Sequence, residues 1–155
     1  MSQIMELVCG LKDNNDKYAY QCLKELESES LISDAVYPYF NLFAELLDST
    51  NSYHRNRGIL LIAANAKWDR ENKIDEIIDK LLKHVEDEKP ITARQCIKAM
   101  PLVAQYKPDL ADDIIQALRN ANTQMYKGSM QPLVYKDIAE ALKLINNYYN
   151  KSERG

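Results

Sequence analysis

Apolar residues recur at helical spacing along nearly the whole chain and nowhere alternate at period two over a useful length. Ile74, Ile77, Ile78, Leu81, Leu82 and Val85 fit the i, i+3, i+4, i+7 template at every step. Shorter stripes of the same kind run through Ile4, Leu7, Val8 and Leu11, and through Ala19, Cys22, Leu23 and Leu26. They recur at Val36, Tyr39, Phe40, Phe43, Leu46 and Leu47, at Ala93, Ile97, Met100 and Ala104, and at Leu110, Ile114, Ala117 and Leu118. Met130, Leu133, Val134, Ile138, Ala141, Leu142 and Ile145 form the last. Each stripe predicts a helix that buries one face. The segment 52–69 is different. Ile59 to Ala64 is the longest unbroken apolar run, with polar residues only at the ends. A helix apolar on every side must be covered on every side, so this segment predicts a central helix with neighbours before and after it.

Start and stop signals divide the pattern into eight helices. Ser2, Asp16, Asn72 and Ser129 stand where an N-cap is expected, and Asp34 opens the third helix. Pro38, Pro90 and Pro132 fall in first turns, where a missing N–H costs nothing. Pro101 lies inside the sixth helix and is expected to bend it. Residues 1–150 make one domain of 155, with 151–155 expected to fray.

The helices repeat in pairs. Helices two, four, six and eight begin near residues 16, 52, 89 and 129, steps of 36, 37 and 40. Helices three, five and seven begin near 34, 72 and 108. Such a period, with two helices per unit, is the signature of an α-solenoid. Arg57, Arg94 and Lys136 are each followed three residues on by an apolar residue (Leu60, Ile97, Ala139) and six on by Ala63, Met100 and Leu142. This pattern resembles the second helix of a HEAT repeat and extends over four helix pairs. The resemblance implies an all-α fold, a right-handed α-α superhelix of about four armadillo-like pairs, serving as a scaffold for protein binding. The chain is also similar to small bacterial HEAT-like proteins, some labelled SufBD for iron–sulphur assembly. The scaffolds of that name are β-helical, whereas no strand and no Cys/His cluster is read here, so no metal or cofactor is expected.

Composition narrows the classes. Net charge is −3 and the pI near 5.4, so bulk electrostatics do not favour nucleic acid. The longest apolar run is too short to span a membrane, and the N-terminus has no positive region before it. Cys9, Cys22 and Cys96 show no metal or redox spacing and are expected to be reduced, buried thiols of a cytoplasmic protein.

Candidate chemistry is sparse. His84 and Glu88 have an i, i+4 spacing that makes half a metal site, against which stands the plainer reading of a solvated helix end. Asp112 and Asp113 sit in a first turn, where acids stabilise the helix dipole. Trp68-Asp69 invites comparison with HEAT-like DNA glycosylases, which use Trp, Asp and Arg on a concave basic face. The structural alternative is that Trp68 plugs the end of the central helix. Arg57 and Arg94 either form a structural ladder, with Asp48 and Asp87 as partners, or face a ligand.

Charge alternates along the chain from residue 34 onward; the second helix, 16–29, is an exception at −2. The segments 52–70, 89–107 and 128–151 carry net charges of +3, +4 and +1, whereas 34–48, 71–88 and 108–126 carry −3, −4 and −2. In a solenoid the second helices share one face, so that face should be basic. Arg57, Arg94, Lys98 and Lys136 are the residues expected to bind there, and an acidic protein segment is the expected partner. A glycosylase and a structural subunit of a larger assembly are the other two functional classes left open.

Overall fold

The computed structural model describes the backbone of residues 2–154 and the side chains of residues 2–150. Every regular element among the described residues is a helix, with no strand among them. The order is α1 (Gln3–Gly10), α2 (Asp16–Ile32), α3 (Phe40–Leu46), α4 (Ser52–Ala64), α5 (Lys73–Leu82), α6 (Pro90–Tyr106), α7 (Ala111–Asn120) and α8 (Met130–Arg154). Short 3-10 turns precede α3 and α7 and follow α4 and α5. The chain divides into two compact units, 1–76 and 77–155.

In the first unit α1 packs on α2 and α3 on α4, and the two second helices, α2 and α4, touch each other. Short connections make each pair a hairpin, and contact between second helices is how solenoid units stack. Helix α4 is the centre of this unit. Ile59, Leu61, Ile62 and Ala63 point in directions spread round its axis, and all are buried. Leu60 and Ala64 share the remaining side and are half-buried. In the second unit α6 packs on α7 and, most extensively, on α8. Ile97, Met100, Ile114, Val134 and Ile145 form its centre.

The period is also written in polar contacts between residues about one repeat apart. In the first unit the Asn65 amide donates to Ser30 Oγ at 3.2 Å, Trp68 Nε1 donates to the Ser30 carbonyl at 2.7 Å, and Arg70 pairs with Asp34. In the second, Asn122 N donates to Glu86 at 2.7 Å and the Tyr126 hydroxyl to the Asp87 carbonyl at 2.6 Å. Burial pushes the Tyr126 phenol up to about 12.

The helix ends differ from the sequence reading in four places. Asn15, not Asp16, caps α2, its Oδ1 accepting from Tyr18 N at 3.2 Å; Asp16 is already the first helical residue. Pro38 sits in a 3-10 turn, Tyr37–Tyr39, and α3 begins only at Phe40. The tighter turn shifts the phase by one residue, so Tyr37 is buried and Tyr39 half-buried. Helix α4 stops at Ala64 rather than continuing to Asp69, because a 3-10 turn intervenes. Asn72 takes a left-handed backbone, φ 56°, which Asn tolerates better than most residues. The first N–H groups of α5 are met instead by Asp69, which accepts from Lys73 N and Ile74 N, both at 2.9 Å. Ser2 caps α1 as expected, accepting from Met5 N at 3.1 Å. Helix α6 runs unbroken through a buried Pro101. The frayed tail expected at 151–155 lies outside the residues whose side chains are described, and the α8 backbone is helical to Arg154.

Candidate functional site

The four basic residues expected on one face have three different fates. Arg57, on α4, is 4 % exposed. Its guanidinium donates to the Leu11 carbonyl at 2.8 Å and approaches Asp16 at 3.5 Å. Leu11 is the C-cap of α1, so the arginine satisfies a carbonyl that the helix itself leaves without a donor. The Tyr53 ring lies against the same guanidinium, 5.8 Å to its centroid. Arg55, also buried, donates to the Ser49 and Thr50 carbonyls of the α3–α4 connection at 3.1 and 3.2 Å. Much of the positive charge counted on 52–70 therefore points inward and serves backbone carbonyls.

Arg94, on α6, is half-buried, and its Nε donates to Asp137 on α8 at 2.6 Å. The Asp87 carboxylate is engaged elsewhere, by His84 Nδ1 at 2.8 Å and by Lys89 N at 2.9 Å. Arg57 and Arg94 thus each meet an acid, but Asp16 and Asp137 rather than the Asp48 and Asp87 expected for them from the sequence. Lys98 on α6 and Lys136 on α8 are both exposed.

These placements define a surface in the second unit. The Arg94–Asp137 bridge ties α6 to α8. Along α6 the solvent-facing residues Ile91, Lys98 and Leu102 follow one another at i, i+7 and i+11, which is a single line on a helix. Ile91 is 68 % exposed and Leu102 39 %. Leu133, Lys136 and Leu144 are exposed on α8. The surface is mixed, two cations and the exposed acid Glu140 among four aliphatic side chains. The cations are legible in the sequence and the aliphatics are not, because Leu133 keeps step with the buried stripe of α8 and Ile91 and Leu102 fall between stripes.

The residues with the most suggestive chemistry have structural partners. Trp68 and Asp69 close the end of the segment that begins at α4. Trp68 is half-buried with its indole N–H on Ser30. Asp69 is buried, and besides the two α5 amides it accepts from the Tyr37 hydroxyl at 2.6 Å. Burial, and then the bond to Asp69, raise the Tyr37 phenol above its ordinary value. His84 is not a solvated helix end: it is half-buried against Asp87. Cys22 and Cys96 are buried, but Cys9, on α1, is exposed. Burial pushes the Cys96 thiol up, and it donates weakly to the Leu81 carbonyl at 3.7 Å, the setting of an inert core cysteine. Among the described residues no three His, Cys, Asp or Glu side chains converge as a metal site would require, and no helix is long and apolar enough to cross a membrane.

His54, half-buried beneath the α3–α4 turn, faces Ser49 Oγ at 3.2 Å. Burial, then the charges of Arg57 and Lys12, hold it below the ordinary value of 6.5. A base whose folded value is depressed contributes stability that is complete above 6.5 and is lost as pH falls through the folded value. His54→Gln is therefore expected to flatten the fall in urea midpoint below pH 6.5, leaving the midpoint at higher pH little changed. An unchanged pH profile would show that His54 is not the titrating group.

No protein-family model, curated protein or solved structure matches the chain.

Proposed function

We propose that the chain is a non-catalytic interaction module, a short HEAT-like repeat protein of the cytoplasm, whose α6–α8 surface binds an acidic and partly apolar segment of a partner protein. The observation that carries this reading is the line Ile91–Lys98–Leu102. Its residues face solvent on a helix whose opposite side is packed, and the segment 89–107 contains no acid. Aliphatic side chains supply area to bury, and Lys98 and Lys136 supply attraction and select against basic partners. Arg94 supports the surface through its bond to Asp137, and Arg57 is engaged within the first unit by Leu11 and Asp16. Glycosylase chemistry would need Trp68 and Asp69 free to meet a base, whereas both are held within the first unit.

Capture from cell extract should be compared between the wild-type chain and Lys98→Glu/Lys136→Glu. Both sites are exposed, so the variant should keep its helicity and its urea midpoint. Proteins retained by the wild type should be lost by the variant and should elute from the wild type with salt. Equal recovery by both would remove α6–α8 as the interface. Retention of the wild type on heparin, with salt-dependent release, would instead favour a nucleic-acid role.

A further inference from the structure

Two open grooves lie on helix flanks that carry no neighbouring helix within their own unit among the described residues. The first, about 540 Å³, runs between α1 and α2. Ile4, Leu7 and Ile32 line it, with Glu25 and Glu29 at its rim. It lies on the side of α2 turned from α4: Ser30, which meets Asn65, is buried, while Ile32 is 78 % exposed. The second, about 260 Å³, runs between α7 and α8, lined by Tyr135, Ile138, Ala139 and Leu142 with Arg119 at its edge. Tyr135 and Ala139 are two residues either side of Asp137, which meets α6. At 100° per residue they point about 160° away from that contact. Each groove is therefore where the next helix pair would sit if the repeat continued.

We infer that these two surfaces are complementary and that the chain associates with a second copy of itself, α7–α8 of one copy seating on α1–α2 of the next. Terminal repeats of a solenoid ordinarily present polar outer faces, since an uncovered flank otherwise exposes the surface that stacking buries. Here both terminal flanks keep large apolar side chains in solvent, Ile32 in one and Tyr135 in the other, 69 % exposed. Their charges are opposite. Lys24 at the first groove is engaged by Glu27 at 3.3 Å, so Glu25 and Glu29 set its sign, and Arg119 sets that of the second. A second copy supplies both the missing helix pair and the opposite charge. Because the two surfaces differ, the contact is heterologous, and each copy retains one unused surface after the first contact forms.

That asymmetry gives the test. Ile32→Arg places a cation opposite Arg119, and Tyr135→Glu places an acid opposite Glu25 and Glu29; both positions are exposed, and circular dichroism checks that each variant folds. By sedimentation velocity the wild type should grow in mass with concentration. Each variant alone should associate at least tenfold more weakly. An equimolar mixture of the two should recover association, since the intact α7–α8 surface of one meets the intact α1–α2 surface of the other. A wild type that stays monomeric at all concentrations would leave the grooves to some other protein and overturn the inference. So would a single variant that associates as the wild type does, or a mixture that stays monomeric.

Discussion

Asp69→Ala should destabilise the first unit by more than about 3 kcal/mol, the largest effect expected of any single polar substitution in the chain. The carboxylate is buried and accepts from three donors, the Tyr37 hydroxyl and the amides of Lys73 and Ile74. Truncation removes the charge and leaves those donors with no acceptor, at roughly 1–3 kcal/mol for each that water cannot reach. Tyr37 keeps a contact from Glu71 N at 3.3 Å, but there its oxygen accepts, so the phenolic proton gains nothing from it. Asp69→Asn should fall between wild type and Ala, because one oxygen remains but the new amide is a donor placed among donors. Urea unfolding measures both. The sign also bears on function. A carboxylate held strained for catalysis would give a more stable protein when neutralised, whereas a helix cap gives a less stable one. A neutral or stabilising Asp69→Asn would reopen the enzyme reading.

Helices and their order were legible because burial of a stripe leaves a period in the sequence, as Ile74 to Val85 show. The repeat steps near 36 residues are legible for the same reason, and contacts such as Asn65–Ser30 and Asn122–Glu86 carry that spacing in three dimensions. Helix starts were harder. Several polar residues in a row can each cap, and only backbone geometry chooses Asn15 over Asp16 or hands the α5 amides to Asp69 across a left-handed Asn72. The candidate surface was half legible. Charge can be counted along a helix, but its direction depends on acceptors that have no sequence signature. Arg55 and Arg57 bond to backbone carbonyls of Ser49, Thr50 and Leu11, and every residue has a carbonyl. Lys98 and Lys136 have no such end to cap and stay in solvent. The alternating net charge was a sound count that overstated the exposed charge on α4.

The second large effect is expected at Gly58, in the middle of α4, where substitution by Ala would ordinarily help. Ala is favoured over Gly in a helix interior by about 1 kcal/mol. Here a Cβ would lie 2.7 Å from the Phe43 carbonyl oxygen and 2.9 Å from Leu46 Cβ. One of those atoms is backbone and the other the first side-chain atom of a buried leucine, so neither yields by rotamer change. The glycine lets α4 approach α3 closely, which is what seats Ile59 and Ile62 in the core. To admit the methyl the helices must separate, and overpacking of this kind costs about 1–3 kcal/mol before the loosened core is counted. The clash therefore outweighs the propensity gain, and Gly58→Ala should lower the urea midpoint. Gly10 provides the contrast. Its added Cβ would meet Cys22 Sγ at 2.5 Å and Tyr18 Cε2 at 3.0 Å, both side-chain atoms, so Gly10→Ala should be destabilising alone and partly rescued by Cys22→Ala. No equivalent rescue exists for Gly58, since Leu46→Ala keeps its Cβ and leaves the Phe43 carbonyl in place. A Gly58→Ala protein as stable as wild type would mean that α3 and α4 do not pack this closely in solution.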